Sequence, residues 1–228
     1  MNRDLSRIKA VIFDFDGTLA DTNELICDSW RHTVGKLTGG EITDDEIRST
    51  FGEVLSHSLN RIMPDIDVEA AVAEYRKYQH DIYLERITLF EDSEAVLRAL
   101  RKTGYKVALA TSRLRSSTER GLNHFGIIDL FDVVLTADDT PIFKPDPTPI
   151  LMTMDKLGVT AEQSIFVGDT THDVEAGLAA GVFTILVDWS FALPEDKRDA
   201  VLPPGGRPHA TIKKMTDILT LLDCPFEK

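Results

Sequence analysis

The feature that most limits what this chain can fold into is a recurrence. Short apolar runs at 8–13, 105–110, 132–135, 164–167 and 182–187 alternate with segments of helix length at 91–102, 114–125, 147–157 and 171–180. Apolar residues recur at helical spacing in the longer segments, as Val96, Leu97 and Leu100 do. Strands alternating with helices predict an α/β fold, a doubly wound, Rossmann-like parallel sheet covered on both faces. Active sites in such sheets lie beyond the carboxyl ends of the strands. Several runs end in polar residues: Asp14, Thr111-Ser112, Gly168-Asp169 and Asp188. The topology therefore predicts that these residues converge.

The alternation breaks between 22 and 88, where the sequence shows no convincing strand. Val68, Ala71, Val72, Tyr75, Tyr78 and Ile82 follow a helical period and predict one long helix over 67–86. Shorter helices are expected at 22–37, 44–50 and 54–63, with breaks at Gly39-Gly40, Gly52 and Pro64. The sequence thus reads as a catalytic core, 1–21 and 89–228, carrying an inserted all-helical cap, 22–88. Pro203-Pro204-Gly205-Gly206 marks a loop before a closing helix over 213–222.

Charge and cysteine usage narrow the partners. A net charge of −13 with no basic cluster argues against nucleic acid and anionic membranes. No apolar run reaches the ~18–20 residues of a membrane helix. Cys27 and Cys224, the only cysteines, read as free thiols, which fits a cytoplasmic protein. Oligomeric state is left at monomer or homodimer.

Asp14 and Asp16 stand two apart at a strand end, so both carboxylates point to one side. They could be turn acids before Gly17, or a charged pair held by a cation. Asp169 and Asp173 lie one helical turn apart, and Asp173 also suits a helix first turn. Asp14, Asp169 and Asp173 could together supply the oxygen ligands of a magnesium ion. His172 between them reads as a surface side chain, because nitrogen ligands suit other metals. Thr111-Ser112 at a strand-to-helix turn suits a phosphate oxygen, and Lys144 supplies a compact positive charge. Each alone has an ordinary structural reading; the ordered set of four strand-end sites is far more specific.

Those residues carry a resemblance. VIFDFDGTLADT (11–22), ALATS (108–112), KPDP (144–147) and VGDTTHDVEAG (167–177) resemble, in order, the four motifs of the haloacid dehalogenase superfamily. The segment at 22–88 falls where that family carries a small helical cap. The chain is most similar to the phosphoglycolate phosphatases and the related bacterial pyrophosphatases, through FDVVLTADDTPIFKPDPTPI (131–150) and YRKYQHD (75–81). The resemblance implies a magnesium-dependent phosphatase acting on a small phosphorylated metabolite or pyrophosphate through a phosphoaspartyl intermediate. It implies Asp14 as nucleophile and Asp16 as general acid and base. Magnesium would be held by Asp14, the Asp16 main-chain carbonyl and Asp169, with Asp173 on a metal-bound water or behind the ligands. Thr111, Ser112 and Lys144 would bind the phosphoryl group.

The cap should read the leaving group. Phe51, Gly52 and Glu53 are the leading candidates, with His57, Arg61, Lys77, His80 and Arg86 as further charges. β-Phosphoglucomutases carry a cap arginine three residues after a glycine in the matching segment. Here Leu55 stands there, against a sugar phosphomutase. A carbon–halogen hydrolase needs neither metal nor an acid at the position of Asp16. A phosphoaspartate signalling module carries no inserted cap. A nucleotide-binding oxidoreductase would need a Gly-x-Gly-x-x-Gly after the first strand, and none is there.

Overall fold

The computed structural model describes residues 4–202 and 206–225. In chain order the elements are β1 (Ala10–Phe13), β2 (Ala20–Asp21), α1 (Asn23–Thr38), α2 (Asp44–Arg48), α3 (Leu55–Ile62), α4 (Val68–Ile82), β3 (Thr88–Leu89), α5 (Ser93–Lys102), β4 (Lys106–Ala110), α6 (Arg115–His124), β5 (Val133–Leu135), α7 (Thr148–Leu157), β6 (Ser164–Gly168), α8 (Thr171–Ala179), β7 (Phe183–Val187), α9 (Glu195–Val201), β8 (Ala210–Ile212) and α10 (Asp217–Leu221).

Six strands form one parallel sheet in the order β5-β4-β1-β6-β7-β8. The central strand β1 is fully buried, and its period of two divides it between the faces. Ala10 and Ile12 join a cluster with Ile150, Met154, Leu157 and Ala176 under α7 and α8. Val11 and Phe13 join Val96, Leu97, Leu100, Leu122 and Ile218 under α5, α6 and α10. Burial of a side chain such as Ile12 or Phe13 contributes about 1.5–3 kcal/mol, which explains why this strand has no polar residue until Asp14. The register sets Phe13 opposite Leu109 and Val167, so the next residues of all three strands emerge at one edge.

The helical segment has its own core. Cys27, Trp30, Val34, Ile47, Leu59 and Tyr75 cluster together, with Trp30 and Tyr75 in an edge contact at 5.5 Å between centroids. Its two connections run side by side, because β2 pairs antiparallel with β3, Ala20 opposite Leu89 and Asp21 opposite Thr88. That two-residue ladder is too short to leave a periodic pattern.

Three expectations need correction. The long helix ends at Ile82 rather than 86, because Tyr83 turns inward, 1% exposed, and its hydroxyl donates to the Ser117 carbonyl. A sixth strand, β8, lies beyond the five expected, since its register on β7 comes from backbone pairing and three residues give no pattern. The closing helix starts at Asp217 rather than 213, because the Asp217 carboxylate accepts the Lys213 and Lys214 N–H groups ahead of it. Of the loop expected at Pro203-Pro204-Gly205-Gly206, the first three residues lie outside the described ones.

Candidate active site

The carboxyl edge of the sheet gathers the strand-end residues. Asp14 follows β1, Thr111 follows β4 and Asp169 follows β6, while Lys144 comes from the loop before α7 and Asp173 from the first turn of α8. All five are buried, between 1% and 8% exposed. Lys144 is the centre of charge: its Nζ lies 2.8 Å from Asp14 Oδ2 and 2.7 Å from Asp173 Oδ1, and it also donates to the Ala110 carbonyl.

Asp173 owes its orientation to a capping box. Thr170 caps α8 by accepting from the Asp173 N–H, and Asp173 Oδ2 accepts from the Thr170 N–H at 2.9 Å, the Thr170 hydroxyl at 2.7 Å and the Asp169 N–H at 3.2 Å. Both readings of Asp173 thus hold at once. The local cap fixes the side chain, and the fixed side chain anchors Lys144. With both oxygens occupied, Asp173 is suited to stand behind a metal ligand rather than to be one.

Asp169 is different. It is 1% exposed, yet among the described residues its carboxylate is met only by the Thr18 and Ser190 hydroxyls, at a long 3.4 Å each. Asp14 accepts from the Phe15 N–H at 2.7 Å through its other oxygen. Ligand atoms of Asp14, Asp169 and Asp173 lie within 4.8 Å of one another. With all three carboxylates ionised, one buried ammonium would leave two negative charges uncompensated. The weakly satisfied Asp169, the hard oxygen donors and that residual charge fit a divalent cation of the magnesium kind.

Crowding of these acids away from water perturbs their ionisation. Burial pushes the Asp14 carboxyl up to about 7, against the pull of Lys144. Burial and the neighbouring Asp173 and Asp14 charges push Asp169 well above the ordinary carboxylate range. Burial also acts to raise Asp173, but Lys144 and the Thr170 hydrogen bonds outweigh it and hold it below its ordinary value. For Lys144, burial acts downward and is outweighed by Asp14 and Asp173.

Gly17 explains the sequence after the acid pair. Its φ is +72°, and a Cβ there would sit 2.2 Å from Asp169 Oδ2. Only glycine lets this turn pass so close to the second acid.

Asp16 points elsewhere than its pair-mate. Its carboxylate is 24% exposed and binds Arg113, whose Nη1 lies 3.0 and 3.2 Å from the two oxygens. Arg113 follows Thr111-Ser112 directly and was not among the sequence candidates. The available signal was an arginine at the start of a strand-to-helix turn, which reads equally as the first exposed residue of a helix.

These groups open on a cavity of about 330 Å³ between sheet edge and helical segment. Ser112, Phe51, Gly52 and Glu53 line it. The further candidate charges of the helical segment do not. Arg61 is tied to Glu53 at 2.8 Å, His80 meets Arg120 of α6, Arg86 pairs with Asp28, and His57 and Lys77 are exposed away from the cavity. Arg76 and Gln79 line it instead, on the face of α4 that also carries Val72 and Tyr75. Spacing of three and four residues could have revealed that face.

His172 is not the surface side chain expected. It is half-buried, its Nδ1 is enclosed with no hydrogen-bond partner among the described residues, and a Cβ on Gly52 would lie 2.5 Å from that nitrogen. Core and helical segment therefore meet over the site at this glycine. Phe191, from the loop after β7, adds a second contact, 5.5 Å from the Phe51 ring and 4.4 Å below the Arg48 guanidinium.

A parallel sheet that collects buried acids and one buried lysine at its carboxyl edge, beneath a helical segment inserted after the first strand, defines a class of α/β hydrolases. The chain belongs to the haloacid dehalogenase-like hydrolase family, whose model matches residues 11–187. It is similar to a pyrophosphatase, PpaX, of Bacillus velezensis, 34% identical over 213 residues that cover 93% of this chain and 95% of that one. Among solved structures it resembles a haloacid dehalogenase-like hydrolase of Bacteroides fragilis, with TM-score 0.82 and 28% identity over 92% of this chain and 99% of that one. A β-phosphoglucomutase of Clostridium difficile shares the fold, with TM-score 0.76 and 21% identity over 92% and 93% of the two chains. Among the described residues no helix is long and apolar enough to cross a membrane.

Proposed function

We propose that the protein is a magnesium-dependent phosphohydrolase that cleaves pyrophosphate or a small phosphate monoester through a phosphoaspartate on Asp14. The observation that carries this is Lys144, buried and shared between Asp14 and Asp173 beside the weakly satisfied Asp169. A buried cation held at the nucleophile is placed to neutralise a transferring phosphoryl group.

Asp14 attacks phosphorus through one carboxylate oxygen, and the bond to the leaving oxygen breaks with its electron pair going to that oxygen. Asp16 supplies the proton, then takes one from the water that hydrolyses the phosphoaspartate. Lys144, the Thr111 hydroxyl and the Ser112 N–H hold the phosphoryl oxygens. A magnesium ion on Asp14, Asp169 and the Asp16 carbonyl, backed by Asp173, would offset negative charge on the phosphoryl group. Residues 22–88 form a cap that pivots at the β2–β3 connections and supplies leaving-group contacts through Phe51, Gly52 and Glu53. The PpaX relative, 34% identical nearly end to end, favours pyrophosphate, and Leu55 disfavours a sugar phosphate.

The test is phosphate release from pyrophosphate and phosphoglycolate, with magnesium and with chelator, by the wild type and Asp14→Asn. The amide is nearly isosteric but a poor nucleophile, so turnover should fall by several orders of magnitude with the fold intact. Retention of more than about a tenth of wild-type kcat by folded Asp14→Asn would refute the covalent assignment.

A further inference from the structure

Two buried cations face the cavity, and they are engaged differently. Lys144 Nζ donates to Asp14, Asp173 and the Ala110 carbonyl. Arg113 is 7% exposed and uses only Nη1, toward Asp16. Among the described residues its Nε and Nη2, both enclosed, make no well-formed hydrogen bond, although the nearby Tyr83 side chain favours the charge. The guanidinium is held in place by the Tyr83 ring, 4.8 Å from Cζ, and that ring is itself fixed by its hydroxyl on the Ser117 carbonyl. Burial acts against the charge, but Asp16 outweighs it and keeps the guanidinium protonated.

A purely structural arginine that is this deeply buried normally has its donors satisfied. Here the ion pair with Asp16 accounts for one nitrogen and leaves a fork half empty. The position adds meaning. Asp16 serves the leaving oxygen, so the guanidinium at its carboxylate borders the leaving group, while Lys144 sits with the nucleophile. A planar guanidinium fork matches the paired oxygens of a phosphate or a carboxylate, and a neutral alcohol offers it too few acceptors.

We infer that Arg113 is the specificity-determining residue for an anionic leaving group, engaging a phosphate or carboxylate on the departing half of the substrate with the donors that Asp16 leaves free. This rests on the roles of Asp14 and Asp16 proposed above. The shared chemistry has two sources, the second phosphate of pyrophosphate and the carboxylate of phosphoglycolate.

The experiment measures kcat/KM on four substrates: pyrophosphate and phosphoglycolate, whose leaving groups are anionic, and ethyl phosphate and glycerol 3-phosphate, whose leaving groups are neutral alcohols. Phosphoglycolate and ethyl phosphate have alkoxide leaving groups that differ chiefly in the carboxylate, so the disturbance of Asp16 common to both largely cancels in their ratio. Arg113→Met should lower kcat/KM for the anionic pair about tenfold to a hundredfold more than for the neutral pair, the range of one charge-assisted hydrogen bond. Arg113→Lys, which keeps the charge and loses the fork, should recover part of that selectivity. The arm with the larger selective loss names the source. A common reduction on all four substrates, with the wild type active, overturns the inference and leaves the phosphohydrolase reading standing. No release from any of them by the wild type overturns both. If Arg113→Met does not fold, Arg113→Lys decides alone: selective loss on the anionic pair supports the inference, and a common factor overturns it.

Discussion

Replacing Lys144 by methionine tests whether the site is a compensated cluster of buried charge. Methionine retains an unbranched apolar stem in a pocket where Nζ lies 5.5 Å from the Phe166 ring centroid. What is lost is the ammonium between Asp14 at 2.8 Å and Asp173 at 2.7 Å, both buried. Removing one partner of a buried pair costs about 3–5 kcal/mol. Proton uptake limits the loss, because the Asp14 carboxyl is already pushed up to about 7 and rises further without Lys144. The expected destabilisation of the metal-free protein is therefore about 3 kcal/mol at pH 8, shrinking toward pH 5.5 as the carboxyls protonate. Magnesium should restore part of it. Activity should fall about 10²–10³-fold on every substrate alike, since all present the same phosphoryl group. Urea unfolding followed by tryptophan fluorescence measures the stability term, and Trp30 in the helical segment and Trp189 in the core permit single-tryptophan variants that report on each part. A loss under about 1 kcal/mol at pH 8, or one that grows as pH falls, refutes the charge argument.

The other expectations follow from the same geometry. A carboxyl whose folded pKa is raised binds a proton in the native state that the unfolded state has released, so its contribution fades as pH rises through the folded value. Between about pH 4 and 7 the metal-free protein should thus lose the stability that Asp14 provides when protonated, and the magnesium-induced rise in Tm should grow over that window; an equal rise at pH 5 and pH 8 contradicts this. Magnesium should support activity and calcium should inhibit, since calcium accepts more ligands and lets Asp14 bind through both oxygens; full activity after exhaustive chelation contradicts the metal assignment. Gly17→Ala should raise the magnesium concentration for half-maximal activity about tenfold or more by pushing Asp169 aside, as titration of activity would show. Glu53→Ala removes a carboxylate from the cavity wall, frees its partners Ser58 and Arg61, and should change kcat/KM unequally across a panel of phosphates; one common factor would mean the Phe51–Glu53 loop does not read the leaving group.

The strands were legible because their burial is a local matter. A strand covered on both faces must be apolar along its length, so 8–13 and 164–167 announce themselves, and the first polar residue marks where the sheet edge begins. Parallel registry then brings those edges together, which is why Asp14, Thr111 and Asp169 could be expected to meet. Capping chemistry is local too, and it aims Asp173 whatever the rest of the chain does. By contrast, β2, β3 and β8 are two or three residues long and exist through pairing with distant backbone.

Side-chain partnerships across the site belong to the same second category. Arg113 and Asp16 stand 97 residues apart, and nothing in either neighbourhood indicates that one buried guanidinium will hold the other's carboxylate. His172 looks like an exposed helix residue until Gly52 of the helical segment closes over it. Arg61 and Arg86 look like candidate ligands until each finds an acid within the helical segment. The sequence by itself determined the layered sheet, the helices between β2 and β3, and the acids and hydroxyl at the strand ends, because those follow from periodicity and burial along the chain. Only the tertiary structure decided which charges are paired and which donors remain free, because that depends on distances between segments that no local pattern encodes.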